Sequence, residues 1–102
     1  MKTRIERMIE RGTELIDKNG MNVSGEYWYS SSVKEYEKDE IHRLYINLSY
    51  GRYYKGSSKW KRGVTVYIDL RTNKVVDASR VYNNARERDI IFSIANELAQ
   101  MN

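Results

Sequence analysis

The chain has 102 residues, of which 40% are hydrophobic and 31% charged, and it carries a formal net charge of +4. This length accommodates one domain, residues 1–102, and the composition excludes wholesale disorder. The absence of Cys excludes disulfides, thiolate metal sites and thiol nucleophiles, and a single His argues against zinc. Residues 1–10 lack the apolar core of a signal peptide, and no apolar run is long enough for a bilayer span, so we expect a cytoplasmic protein without a membrane partner.

The first predicted element is a helix over residues 3–18. Thr3 and Glu6 form a capping-box pattern, and Asn19-Gly20 is a stop signal because Gly readily adopts positive φ. Gly12 lies on the apolar stripe, where it costs about 1 kcal/mol relative to Ala or allows close approach to the sheet. The rest of that stripe recurs at helical spacing: Ile5, Met8, Ile9, Leu15 and Ile16.

The first predicted strand covers residues 22–31, where Tyr27, Trp28 and Tyr29 favour β-structure. An acidic cluster follows, because Glu35, Glu37, Asp39 and Glu40 lie close together in the chain. The sequence leaves two alternatives for residues 33–40, which either extend this strand or form an exposed hairpin tip.

Two further strands alternate between an apolar and a polar face, over residues 41–54 and 64–70. A turn over residues 71–74 and a less regular edge strand over residues 75–81 come next. The polar-aromatic face of the two alternating strands is predicted to face solvent or a partner, and it includes Arg43, Tyr45, Asn47, Thr65, Tyr67 and Arg71.

The last helix is predicted to begin at Asn84, with Glu87 completing a second capping box. The element order α-β-β-β-β-α predicts an α+β fold, an antiparallel sheet with both helices packed on one face. The expected core combines one sheet face with the last helix: Leu44, Ile46, Leu48, Val66, Ile68, Ile91, Ile94 and Leu98.

Little in the sequence points to catalysis. His42 is in phase with core residues, so we interpret it as structural, since a catalytic base needs a positioned nucleophile. The acidic cluster offers oxygen ligands to Mg²⁺ but is more simply a solvated turn. No phosphate-binding glycine motif is present. We therefore expect no catalytic residue, no metal, no cofactor and no enzyme activity.

Residues 52–62, here called the basic segment, are the strongest functional signal. They contain five basic and three aromatic residues in eleven positions and no acid. Cations neutralise phosphates and aromatic rings stack on unpaired bases, whereas the simpler interpretation is a loop kept soluble by its charges. Together with the sheet face, the candidate partner-binding residues are Arg43, Tyr45, Arg52, Tyr53, Tyr54, Lys55, Lys59, Trp60, Lys61, Arg62, Tyr67 and Arg71.

The layout of a Cys-free domain with an opening helix, a Tyr-rich meander and a closing helix resembles that of small phage-encoded anti-CRISPR inhibitors. The resemblance is one of layout and carries over no functional residue. It implies a non-catalytic phage or mobile-element protein that binds a nuclease complex in the cytoplasm of a bacterial host. Because many such inhibitors are acidic DNA mimics and this chain is basic, contacts with guide RNA, DNA or an acidic protein surface are expected instead.

The sequence thus predicts a non-enzymatic binding module for nucleic acid or a nucleoprotein or nuclease complex. The alternative is a protein-only interaction module or a homodimer with a Tyr-rich interface. A small carboxylate-dependent nuclease is the third and weakest hypothesis.

Overall fold

A computed structural model describes residues 1–21, 27–52, 62–79 and 85–102. Neighbouring strands pair antiparallel in the order β1-β2-β3-β4, which confirms the predicted α+β fold. The elements, in chain order, are α1 (Arg4–Lys18), β1 (Tyr27–Lys38), β2 (Ile41–Arg52), β3 (Arg62–Asp69), β4 (Lys74–Asp77) and α2 (Ala85–Ala99).

Helix α1 begins and ends where its capping residues predict. The side-chain oxygen of Thr3 accepts a hydrogen bond from the Glu6 amide at 3.1 Å, and the Glu6 carboxylate accepts one from the Thr3 amide at 3.5 Å. Asn19 caps the other end, and Gly20 follows with a φ of +75°. Both predicted signals are therefore confirmed. The Thr3 and Glu6 side chains pair with amides at the start of the helix, and the positive φ of Gly20 ends the helix while its amide donates to the Asp17 carbonyl.

The core lies between one face of the sheet and the two helices. Alternate residues of β2 and β3 are buried, and the register sets them side by side, as in the pairing of Ile46 with Val33 and Val66. Residues of both helices join the same cluster, so both helices cover one sheet face. All eight predicted core residues are buried: Leu44, Ile46, Leu48, Val66, Ile68, Ile91, Ile94 and Leu98.

Strand β1 resolves the alternative that the sequence left open. It continues through Lys38, and a tight turn at Asp39 and Glu40 leads directly into β2. Every residue from 34 to 41 is exposed, so this part of the β1–β2 hairpin extends beyond the core. We call residues 34–43 the hairpin end.

Several predicted strand boundaries differ from the structure. Strand β3 begins at Arg62 rather than at residue 64 and ends at Asp69, which leaves Arg71 in the following turn. Strand β4 ends at Asp77, because Ala78 and Ser79 pair with Thr65 through isolated hydrogen bonds rather than a ladder. The predicted start of β1 at residue 22 lies outside the described residues.

The second helix is described from Ala85 to Ala99. Asn84, the predicted capping residue, lies outside the described residues, whereas Glu87 is buried in the first turn. Each of the two described helices has 15 residues, and neither is long and apolar enough to cross a membrane.

Candidate functional site

The sheet face turned away from the helices is left without a covering layer of described secondary structure, and we call it the open face. Alternation along β2 and β3 directs their polar and aromatic side chains to this face. These side chains are half-buried, since they pack against each other and remain in contact with solvent. Five of the six residues predicted for the face lie there: Arg43, Tyr45, Asn47, Thr65 and Tyr67.

Three tyrosines form a row across the open face, one from each of three neighbouring strands. Tyr36 of β1 meets Tyr45 of β2 edge to face, with ring centroids 6.2 Å apart and planes at 84°. Tyr45 and Tyr67 of β3 are directly paired in the register, and their centroids are 5.3 Å apart. Cross-strand aromatic pairs stabilise a sheet, so the row is a fixed surface of apolar rings with polar tips.

Arg43 holds one end of this tyrosine row in place. Its Nη1 donates a hydrogen bond to the Tyr45 hydroxyl at 2.9 Å, and its guanidinium carbon lies 4.2 Å from the centre of the Tyr67 ring. The hydrogen bond to Tyr45 is the main cause that raises the pKa of Arg43 above its ordinary value. A permanently charged, planar group is thus oriented by two rings.

The hairpin end separates its charges by face. In β1, Lys34 and Lys38 alternate with Glu35 and Glu37, so the lysines share the open face with Tyr36 and the carboxylates lie on the helix side. The acidic cluster of the sequence is therefore not acidic on the open face. Within the described residues, that face combines aromatic rings with cations near the hairpin end and with the carboxylate of Asp69, which is paired with Arg43 in the register.

The basic segment joins β2 to β3 at the opposite end of the sheet. Arg52 is the last residue of β2, inside the strand predicted over residues 41–54, whereas Arg62 is the first residue of β3 and not part of the connection. Arg62 is half-buried and pairs with Tyr50 in the register. The remaining candidates of this segment lie outside the described residues: Tyr53, Tyr54, Lys55, Lys59, Trp60 and Lys61.

Trp28 lies at this end of the open face. It is paired with Gly51 in the register and alternates in phase with the open-face residues of β1. Its indole Nε1 is buried and has no hydrogen-bond partner within the described residues. Trp28 was predicted only as a strand former, although its alternation with Lys34 and Tyr36 indicates the same face.

Arg71 does not join the tyrosine row. It lies in the turn after β3, where its Nη2 donates to the backbone carbonyl of Asp39 at 3.3 Å. Its backbone amide donates to the Asp69 carboxylate at 3.0 Å. Arg71 therefore links two turns beside the hairpin end. It was wrongly placed on the strand face, because the alternating pattern continues to residue 71 whereas β3 ends at Asp69.

Tyr36 was missed as a member of the face because the sequence left residues 33–40 unassigned. The signal was present, since Lys34, Tyr36 and Lys38 alternate with Val33, Glu35 and Glu37. The structure also brings His42 against two of those carboxylates, a contact that separate consideration of the histidine and the acidic cluster did not anticipate.

The open face offers a ligand flat rings, hydroxyl groups and positive charge. This combination suits stacking and phosphate contacts rather than bond making, which requires a nucleophile with a positioned base. The chain matches no protein-family model, no curated protein and no solved structure.

Proposed function

We propose that this protein is a non-enzymatic module that binds unpaired nucleic acid on the open face, with the basic segment extending the contact. The observation that carries the proposal is the row of Tyr36, Tyr45 and Tyr67 with the guanidinium of Arg43 over its end. Proteins that bind single strands without strong sequence preference combine such rings with a cationic track.

The charge pattern supports nucleic acid as the ligand. Lys34, Lys38 and Arg43 flank the row and outnumber Asp69, the carboxylate paired with Arg43, while alternation keeps Glu35 and Glu37 on the other face. The row crosses the strands close to the hairpin end, so a phosphate backbone beside it would meet these cations. A bound strand that continues along β2 and β3 to their other end would meet the basic segment, which has five basic residues and no acid.

The inhibitory part of the proposal rests on the resemblance in layout to anti-CRISPR proteins. We propose that the bound nucleic acid belongs to a nuclease or other nucleoprotein complex, whose activity the protein blocks in the cytoplasm of a bacterial host. Blocking would require occupancy alone, without a catalytic residue or cofactor. Inhibition of a purified RNA-guided nuclease, relieved by excess free single strand, would be the corresponding activity.

The direct test measures fluorescence anisotropy with labelled single-stranded and duplex oligonucleotides. Tyr36→Ala should weaken single-strand binding by about 5- to 150-fold, the range for removing one stacked base contact. Tyr36→Phe keeps the ring and should bind nearly as the parent does. The matched control is Ile41→Ala, because Tyr36 and Ile41 are 43% and 41% exposed at the same hairpin end.

The same two exposed side chains favour one competing function, a protein interface or homodimer through the open face. Tyr36 and Ile41 lie on the same face of the hairpin end, and protein interfaces are enriched in Tyr. In that case Tyr36→Ala and Ile41→Ala would lower self-association equally, and salt would have little effect. Light scattering across a concentration series, with and without oligonucleotide, separates the two functions. If both variants lose self-association equally and the parent protein binds no oligonucleotide, the nucleic-acid proposal is refuted.

A further inference from the structure

The helix-side face of the hairpin end carries a cluster of three potential metal ligands. His42 Nε2 lies 2.6 Å from Glu35 Oε2, and His42 Nδ1 lies 3.6 Å from Glu37 Oε2. One ligand atom from each residue can be chosen so that all three lie within 4.8 Å of one another. The only His of the chain therefore lies among two carboxylates.

The register of β1 and β2 explains why the three side chains converge. Glu37 is paired with His42, and Glu35 with Leu44, so the glutamates lie on one strand and the imidazole on the next, on one face. Leu44 is fully buried, and the amide of Leu70 donates to the His42 carbonyl at 2.9 Å. The pairing with β1 and the hydrogen bond from Leu70, the residue after β3, thus fix the backbone that carries His42.

The surroundings favour a cation at this position. The two lysines of the same stretch, Lys34 and Lys38, alternate onto the open face and leave the carboxylates without a lysine on their own face of β1. The two carboxylates of the cluster carry two negative charges, which match a divalent ion. Glu35 and Glu37 are partly exposed, so water can complete the coordination shell.

We propose that Glu35, Glu37 and His42 form a binding site for a divalent first-row transition metal, with Zn²⁺ as the probe ion. A single His argues against zinc in the sequence alone, but the register places two carboxylates beside it, and Zn²⁺ accepts both imidazole nitrogen and carboxylate oxygen. Ca²⁺ takes six to eight oxygen ligands, and Mg²⁺ retains most of its water, so neither gains from the imidazole. This site is independent of the proposed function, because it uses the other face of the hairpin.

The experiment is isothermal titration of tag-free protein with ZnCl₂, repeated with excess MgCl₂ and paired with visible absorption spectra on adding Co²⁺. The parent protein should bind one Zn²⁺ per chain, Mg²⁺ should not compete, and Co²⁺ should develop absorption different from that of the free ion. Glu37→Gln should weaken Zn²⁺ binding by at least about tenfold. This variant should fold, since the Glu37 side chain is 64% exposed.

The matched control is Glu40→Gln, the same chemical change in the same acidic cluster but outside the three ligands. We expect Zn²⁺ affinity within about twofold of the parent, as for a surface change that removes no ligand. His42→Gln should abolish the cobalt spectrum, with circular dichroism confirming the fold. Equal losses in Glu37→Gln and Glu40→Gln, or no saturable binding by the parent, would overturn the site and leave a cluster that only attracts cations by charge.

Discussion

Gly12 of α1 lies against Leu98 of α2 so closely that a Cβ atom at position 12 would be 3.1 Å from Leu98 Cδ1. The same atom would be 3.2 Å from Cγ2 of Val33 in β1. Position 12 is therefore the point where the two helices and the edge of the sheet meet. The sequence left two interpretations of this glycine, and close approach to the sheet is the one the structure confirms.

Gly12→Ala should lower the free energy of unfolding by up to about 2 kcal/mol. Overpacking costs about 1–3 kcal/mol, and the better helix propensity of Ala returns about 1 kcal/mol. Val33 is β-branched and cannot easily rotate away. Urea denaturation measures the change, and in a Val33→Ala background Gly12→Ala should become neutral or stabilising. A stabilising effect in the parent protein would contradict the close contact.

Arg4 should contribute to stability by capping the other helix. Its Nε donates to the carbonyl of Met101 at 2.7 Å, and its Nη2 reaches the carbonyl of Ala99 at 3.3 Å and the Asn73 side chain at 2.9 Å. The last turn of α2 has no basic residue of its own. Arg4→Ala should therefore cost about 1–2 kcal/mol, as for lost hydrogen bonds to a charged donor.

Arg4→Lys should restore only part of this stability, because an ammonium group cannot reproduce the fork of a guanidinium. The control is Arg88→Ala, which removes an exposed ion pair of 3.9 Å and should change stability by less than about 0.5 kcal/mol. Thermal unfolding compares the three variants. Equal midpoints for Arg4→Ala and Arg88→Ala would show that the cap contributes nothing.

Asp39 and Asn73 should respond in opposite ways to replacement by glycine. Both have positive φ, 56° and 62°, which glycine adopts without steric cost. The Asp39 side chain is exposed in its turn. Asp39→Gly removes a steric cost of about 1–2 kcal/mol and adds about 0.5–1 kcal/mol of chain entropy to the unfolded state, so it should stabilise by up to about 1.5 kcal/mol. The Asn73 side chain contacts Arg4 and the carbonyl of Ala99, so Asn73→Gly should destabilise. Chemical denaturation measures the free energy of unfolding of both variants. If backbone conformation alone mattered, both substitutions would stabilise the protein.

The sequence predicted the core and the two ends of α1 because these depend on local and periodic signals. Alternation identified Leu44, Ile46 and Leu48, and the capping box identified Thr3 and Glu6. Neither signal requires knowledge of what lies across the fold. The fold class followed from the order of these elements and the short connections between strands.

The sequence did not predict contacts that depend on the register between strands. The contact of His42 with Glu35 requires β1 to continue to Lys38 and to turn in two residues, which composition leaves undecided. Arg71 was misplaced for a related reason: the alternation of apolar and polar residues continues past Asp69, where β3 ends, into the following turn. Exposed polar residues carry little information about where a strand ends.

Neutralising the basic segment should weaken nucleic-acid binding and change its salt dependence. Lys59→Gln with Lys61→Gln should flatten the slope of log affinity against log salt by about 0.7 per lost contact on single strands and about 0.9 on duplex. Arg62 is left unchanged, because it is half-buried at the start of β3 and its replacement would disturb the sheet. Anisotropy titrations over a range of salt concentrations give the slopes.

Trp60→Ala should act differently from the lysine changes. Removing a stacking ring should weaken binding to unpaired bases more than to duplex and leave the salt slope almost unchanged, because no charge is lost. The control is Lys18→Gln, a charge removed from the end of α1, away from the open face, which should change neither affinity nor slope beyond a general effect of net charge. If Lys59→Gln with Lys61→Gln binds as the parent does, the basic segment only keeps the protein soluble, and Tyr36, Tyr45 and Tyr67 alone would have to account for any binding.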